Sequence, residues 1–140
     1  MNVTKRALKA EVATGDVVTL QDRMDLMTVE AVHVETFGPV LDCIWFDGDD
    51  CLRYRRYPAN AIDVFPRPAP ERDIVKGMEV RLRSRGPVMT VRSIRTRGGA
   101  RFAECIWTGP MARERRRLFP VGVLVLTMME RFEGLSGELV

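Results

Sequence analysis

The side chains that most often carry out catalysis or bind metals are few and widely spaced in this chain. His33 is the single histidine, and the three cysteines are Cys43, Cys51 and Cys105. A structural zinc site needs four ligands at short, paired spacing, whereas the chain contains no Cys-x-x-Cys pair. A nucleophilic cysteine needs a histidine to converge on it. The sequence therefore predicts neither a metal site nor a Cys–His catalytic pair.

The acidic stretch Phe-Asp-Gly-Asp-Asp holds the other candidate ligands, Asp47, Asp49 and Asp50. A calcium-binding EF-hand loop alternates its acidic residues and ends in a glutamate, and this stretch does neither. We interpret it as a solvated turn. No catalytic, metal-binding or cofactor-binding residue is predicted, and we expect the protein not to be an enzyme.

Arginine is far more frequent relative to lysine in part of this chain than on an ordinary solvated surface, which mixes the two. Residues 74–126 carry twelve basic and three acidic side chains, net +9, and Lys76 is the single lysine among the twelve. Residues 1–64 have a net charge of −4. Arginine presents a planar fork that suits phosphate and carboxylate and also stacks on bases. We predict an anion-binding or partner-binding surface built from Arg83, Arg85, Arg92, Arg95, Arg97, Arg101, Arg113, Arg115, Arg116 and Arg117, although a GC-rich genome would also favour arginine over lysine.

An internal repeat organises the whole chain. A shift of 62 positions places Met27-Thr-Val on Met89-Thr-Val and Cys43-Ile-Trp on Cys105-Ile-Trp without a gap. Gly15 falls on Gly77 in the same alignment. A period of this length indicates two copies of one structural unit. We divide the chain into an acidic repeat one, residues 15–65, and a basic, arginine-rich repeat two, residues 77–127.

Each copy predicts five short strands separated by turns. Apolar and polar residues alternate in runs of four to eight, and the turns recur every eight to twelve residues, which is typical of a small all-β barrel. Gly98-Gly99 is the preferred centre of a two-residue hairpin, and Ser84-Arg-Gly86-Pro predicts a tight turn. By alternation Trp45 and Trp107 share a face with Cys43 and Cys105, so we expect all four in the cores.

The segments outside the repeats are short. Three prolines within residues 66–76 predict a semi-rigid linker. An extension at residues 1–14 and a tail at residues 128–140 have helical propensity but are too short for independent helices. No apolar run approaches the roughly 20 residues of a membrane span, and residues 1–15 lack the apolar block of a secretory signal. We expect a cytoplasmic protein that does not bind membranes.

The motifs resemble the YodC-like family of small bacterial proteins of uncharacterised function. Repeat one carries Gly-Asp-Val-Val (15–18), Met-Thr-Val (27–29) and Cys-Ile-Trp-Phe-Asp-Gly (43–48). Repeat two carries Gly-Pro-Val-Met-Thr-Val (86–91), Cys-Ile-Trp (105–107) and Leu-Phe-Pro (118–120). The resemblance implies two tandem SH3-like barrels. It brings no catalytic residues and leaves the function open.

The sequence supports two functions. In the first, Arg95, Arg97 and Arg101 project together beside the Gly98-Gly99 turn and, with the arginines at 113–117, bind DNA or RNA. The scarcity of aromatic residues among these arginines argues against single-strand binding. In the second, the chain is a protein-interaction module, such as an adaptor or an inhibitor encoded by a mobile element or phage. Its basic repeat would then bind an acidic protein or the acidic repeat of a second copy.

Overall fold

The structure is a computed structural model that describes residues 12–21, 25–65 and 73–127. Repeat one contains strands β1 to β5, and repeat two contains strands β6 to β10. In chain order they are Val17–Leu20, Met27–Glu35, Gly38–Phe46, Leu52–Pro58, Ile62–Phe65, Glu79–Leu82, Met89–Arg97, Ala100–Thr108, Glu114–Pro120 and Leu124–Leu126. Three single 3-10 turns, Ala59–Ala61, Pro110–Ala112 and Val121–Val123, are the remaining elements of the described ranges. None of these elements is a helix long and apolar enough to cross a membrane.

The predicted all-β class and the 62-residue period are confirmed. The first residues of β1 to β5 and of β6 to β10 differ by 62 in every case. Each repeat forms one antiparallel sheet, with strand orders β4-β3-β2-β1-β5 and β10-β6-β7-β8-β9. The end strands of each order do not pair with each other, so the predicted barrel closure is not seen in the strand pairing. The coarser prediction of five strands per repeat holds.

Both repeats begin with the same backbone geometry. Gly15 N–H donates to the Val29 carbonyl, and Gly77 N–H donates to the Val91 carbonyl, both at 2.8 Å. Both glycines have φ near +95° (+96° and +93°), a conformation that a side chain strongly disfavours. Each long hairpin then carries a β-bulge at the equivalent place, between Val29 and Ala31 in repeat one and between residues 91 and 93 in repeat two. The bulge bends each sheet around its core.

Two apolar clusters form the cores. The cluster of repeat one includes Val18, Val29, Leu41 and Cys43, all fully buried. The cluster of repeat two includes Trp107, which is 7% exposed, whereas its counterpart Trp45 is only partly buried and packs at the border of the first cluster.

Residues 73–76, the part of the predicted linker that the structure describes, lead directly into repeat two. Ile74 is fully buried in that core, so the packed unit begins at or before residue 74 rather than at 77. Residues 66–72 of the linker, residues 1–11 of the extension predicted at 1–14 and the tail at 128–140 lie outside the described residues.

Repeat one completes the core of repeat two. Ile44, on the face of β3 opposite to Cys43, is fully buried within the second cluster, and Phe46 and Leu52 pack against that cluster. The Phe46 ring meets Trp107 edge to face, with centroids 5.3 Å apart. Gly86 borders the same ring so closely that a side chain at position 86 would collide with Phe46. The two repeats are therefore parts of one packed body.

Trp107→Ala should lower the free energy of unfolding by about 3–5 kcal/mol, because it removes a buried indole that both repeats contact. Trp45→Ala, the matched change in repeat one, should cost clearly less because that indole is already partly in water. Urea titrations followed by far-UV circular dichroism measure both. Equal losses would contradict the difference in burial.

Candidate interaction surfaces

The register of the β7–β8 hairpin separates the three arginines predicted at its tip. Arg95 pairs with Phe102 and Thr96 pairs with Arg101, so Arg101 lies on the opposite face of the sheet from Arg95. The Arg101 guanidinium donates to the Ile74 carbonyl at 2.7 Å and lies 3.6 Å from the Asp73 carboxylate. The prediction that all three project together is wrong for Arg101, which fixes the segment leading into repeat two.

Arg95 and Arg97 remain together on the outer face. Both are exposed, and neither forms an ion pair or side-chain hydrogen bond with any residue in the described ranges. Gly98 and Gly99 both have positive φ, 56° and 82°, as a tight two-residue hairpin requires. As far as the described residues show, the tip therefore presents two unpaired cations beside a tight turn.

The arginines of β9 lie in an unbroken ladder with β8. The β8–β9 register is continuous from Phe102–Pro120 to Thr108–Glu114. Arg117 points toward repeat one, where its guanidinium donates two bonds, 2.6 and 2.9 Å long, to the Glu30 carboxylate. It also lies over the Phe119 ring, 4.9 Å from the centroid. This bidentate, partly buried pair joins the two repeats and leaves Arg117 unavailable to an external anion.

Several other predicted contact residues also have partners inside the protein. Arg83 donates to the Gly122 carbonyl at 2.9 Å, and Arg116 lies 3.3 Å from the Glu114 carboxylate. Arg92 lies 3.9 Å from Glu104, a longer and weaker contact. Such surface pairs contribute little stability, but they lower the local positive charge.

The arginines do not form one patch. Arg85 lies in the β6–β7 turn, and Arg113 and Arg115 lie in and beside the β8–β9 turn, at the end of the sheet where Thr90 pairs with Ile106. The hairpin tip is at the other end, roughly 25 Å away at 3.3 Å per residue along β8. A ligand would need to span the whole sheet to contact both groups.

An apolar groove of about 710 Å³ lies where the two repeats meet. We call it the junction groove. Repeat two contributes a mostly apolar wall, and the facing rim comes from the start of the chain's described part and from repeat one. The wall is Ala100, Arg101, Phe102, Leu118, Pro120, Val121 and Gly122, and the rim is Thr14, Glu30 and Ala31. Both charged lining residues already have partners, Glu30 in Arg117 and Arg101 in the Ile74 carbonyl. In the strand ladder Phe102 stands between Arg95 on β7 and Pro120 on β9, on the same outer face. The groove therefore has an apolar floor and an arginine pair beside it.

Phe102 is a surface aromatic residue that was not among the predicted contact residues. Its position was readable, because it alternates with Ala103 and Cys105, which the sequence places in the core. A half-buried phenylalanine next to Arg95 corrects the expectation that repeat two lacks aromatic residues among its arginines.

A polar cluster surrounds Asp42 on the outer face of repeat one. Its carboxylate accepts hydrogen bonds from Arg56 and Tyr54, each at 2.8 Å, and contacts His33 Nε2 at 2.6 Å. Burial by itself would raise the pKa of Asp42, but the bonds from Arg56, His33 and Tyr54 lower it to about 2. The cluster ties β2, β3 and β4 together, and His33 is thereby used in a structural contact.

The cysteines and the acidic turn have structural surroundings. Burial, aided by the neighbouring carboxylates of Asp42 and Glu104, raises the pKa of the Cys43 and Cys105 thiols to about 12. The Asp47 carboxylate accepts bonds from two backbone N–H groups of its turn and from Arg53. No group of histidine, cysteine and acidic residues within the described ranges is arranged to hold a metal ion.

Asp42→Asn should reduce the free energy of unfolding by about 1–2 kcal/mol at pH 7. The folded pKa of about 2 lies below the ordinary 3.8. The stabilisation is therefore complete above pH 4 and is lost as the pH falls toward 2. Urea titrations of the parent and the variant should differ at pH 7 and converge near pH 2. A difference that persists unchanged at pH 2 would contradict the assignment.

Alkylation at pH 8 should modify Cys51 quickly and Cys43 and Cys105 only after unfolding, because the thiolate is the reactive form. Cys51 is partly exposed, and the other two are fully buried. Mass spectrometry should count one fast site in native protein and three in urea. Cys51→Ser is the control and should remove the fast site. Fast modification of all three native thiols would refute the core placement.

No family model, curated protein or solved structure matches the chain. The resemblance to YodC-like proteins stays a prediction from the motifs.

Proposed function

We propose that this chain is a non-enzymatic protein-interaction module with two SH3-like repeats, and that the junction groove binds an acidic, apolar segment of another protein. The observation that carries the proposal is the placement of Phe102 between Arg95 and the apolar wall of the groove. Apolar side chains of the ligand would enter the groove, and its carboxylates would meet Arg95 and Arg97.

The size and chemistry of the groove support a protein segment. Pockets for drug-sized ligands, which match a few side chains in size, are usually 300–1,000 Å³ and mostly apolar, with a few polar groups that fix orientation. The junction groove, at about 710 Å³, falls in that range. Arg95 and Arg97 form no ion pair within the described residues. A ligand carboxylate could therefore pair with them without breaking an internal ion pair.

Nucleic acid is the second candidate because Phe102 and Arg95 are neighbours on one face. A base could stack on the ring while phosphates contact the arginines. The separation of the two arginine groups makes this surface small. The expected number of phosphate contacts is therefore low, and binding would be weak at physiological salt.

The experiment compares two charge-matched double variants. Arg95→Ala/Arg97→Ala removes the cations beside the groove, and Arg113→Ala/Arg115→Ala removes the same charge at the far end of the sheet. The probes are a fluorescent peptide of alternating glutamate and leucine and a fluorescent twelve-nucleotide oligothymidine. Arg101 is left unchanged in both variants, since its guanidinium holds the backbone at Ile74.

We expect the parent to bind the peptide and the Arg95/Arg97 variant to bind about tenfold more weakly, a loss of about 1.4 kcal/mol. The Arg113/Arg115 variant should bind like the parent. Equal weakening by both variants would mean that net charge alone attracts the peptide and would refute the groove. Preferential binding of the oligonucleotide, with a salt slope that falls by about 1.4 in the Arg95/Arg97 variant, would favour the second candidate.

A further inference from the structure

A second cavity, of about 300 Å³, lies between the two repeats beside Trp107. We call it the turn pocket, because the β3–β4 turn of repeat one and the β8–β9 turn of repeat two border it. Repeat one contributes Cys51 and Leu52 to its wall, and repeat two contributes Trp107, Pro110 and Arg115. All of its lining residues fall within 50–52 and 107–117, away from the ends of the described ranges 25–65 and 73–127.

The wall of the turn pocket carries one arginine that has no acidic partner. Arg116 and Arg117 also line the pocket, and both have the ion pairs described above. Arg115 is exposed and forms neither an ion pair nor a side-chain hydrogen bond within the described residues. Asp50, the acidic residue on the wall, is exposed and forms no ion pair with any of the three arginines. The wall therefore leaves the Arg115 guanidinium without a carboxylate.

The internal repeat shows which group is missing. The arginine equivalent to Arg115 is Arg53, and each pairs across the strand ladder with the tryptophan of its repeat. Arg53 donates to the Asp47 carboxylate at 2.8 Å. The residue equivalent to Asp47 in repeat two is Gly109, and Arg115 lies so close over it that a β-carbon at 109 would be 2.9 Å from the Arg115 Cγ. Repeat one thus supplies a carboxylate to this arginine, and repeat two does not.

We propose that the turn pocket binds a small molecule that bears a carboxylate, with the carboxylate paired to Arg115 and the apolar part of the ligand against Trp107 and Leu52. Arginine presents a planar fork that forms charge-assisted hydrogen bonds with both oxygens of a carboxylate. The volume is at the lower end of the range for ligand pockets, which favours a small molecule over a peptide segment.

This site goes beyond the function proposed for the junction groove. Arg115 lies at the end of the sheet opposite to Arg95 and Arg97, so one ligand does not contact both places. The peptide titration described above and the test below can therefore fail separately.

Cys51 lines the pocket and is partly exposed, so its rate of alkylation reports on what the pocket binds. Iodoacetate and iodoacetamide both attach a methylene carbon to the thiolate sulfur as iodide leaves, but only iodoacetate carries a carboxylate. The ratio of their rates therefore cancels the amount of thiolate and keeps the effect of the carboxylate. We expect this ratio at Cys51 to be about tenfold higher in native protein than in urea-unfolded protein, as measured by peptide mass spectrometry.

Two single variants separate the pocket from the general charge of repeat two. Arg115→Ala removes the guanidinium on the wall and should bring the ratio close to that of the unfolded chain. Arg113→Ala removes the same charge from an exposed position beside the same turn, outside the wall, and should leave the ratio within about twofold of the parent's. Equal losses in both variants, or a native ratio no higher than the unfolded one, would overturn the proposal.

Reversible binding is measured with benzoate and with benzamide, its neutral analogue. Benzoate at roughly 1–10 mM should slow the reaction of Cys51 with iodoacetamide and shift the Trp107 indole N–H resonance in NMR spectra. Arg115→Ala should abolish both effects. Benzamide should have little effect at the same concentrations, because it is uncharged. If benzamide acts as strongly as benzoate, the pocket takes an apolar ring without using Arg115, and the proposal is wrong.

Discussion

The contact of Phe46 with Trp107 is the interaction on which the rest of the structure depends. A unit of about 50 residues buries only about 60% of its unfolded surface and has little stability in reserve. Repeat two adds to its core by taking in the outer face of β3, where Ile44 is fully buried and Phe46 covers the indole. The Arg117–Glu30 pair and a 2.6 Å hydrogen bond from the Thr28 hydroxyl to the Ser84 hydroxyl also cross between the repeats. Because one repeat fills the other, the two copies differ in their surroundings although they share a plan.

This packing explains why the charge of repeat two overstates its binding surface. Arg117 and Arg101 are used to join segments of the chain. Arg95 and Arg97 lie at one end of the sheet, whereas Arg85, Arg113 and Arg115 lie at the other. The exposed apolar groups are more informative than the net charge. The junction groove exists only because the repeats meet.

Much of the fold was predictable from the repeat, since matching residues at a fixed offset dictate matching strands, bulges and turns. The start of each unit was also readable, because Val12 and Ile74 are an apolar pair at the same offset and both pack on their cores. The side of β3 that contacts repeat two was harder to see. The run Cys43-Ile-Trp-Phe46 is apolar on both faces, which indicates two-sided burial, but alternation alone does not name the second partner. The arginine pairings could not be read, because they depend on how two rigid units meet.

The most direct measurement is a nuclear Overhauser spectrum of the aromatic protons, since the chain has two tryptophans, one in each repeat. If repeat one fills the core of repeat two, the spectrum should show cross-peaks between the Phe46 ring and the Trp107 indole. Cross-peaks between Trp107 and Phe119, whose ring centroids are 6.2 Å apart, are expected within repeat two itself. Cross-peaks from Phe119 without any from Phe46 would show a folded second repeat that packs without the first, and would contradict the account.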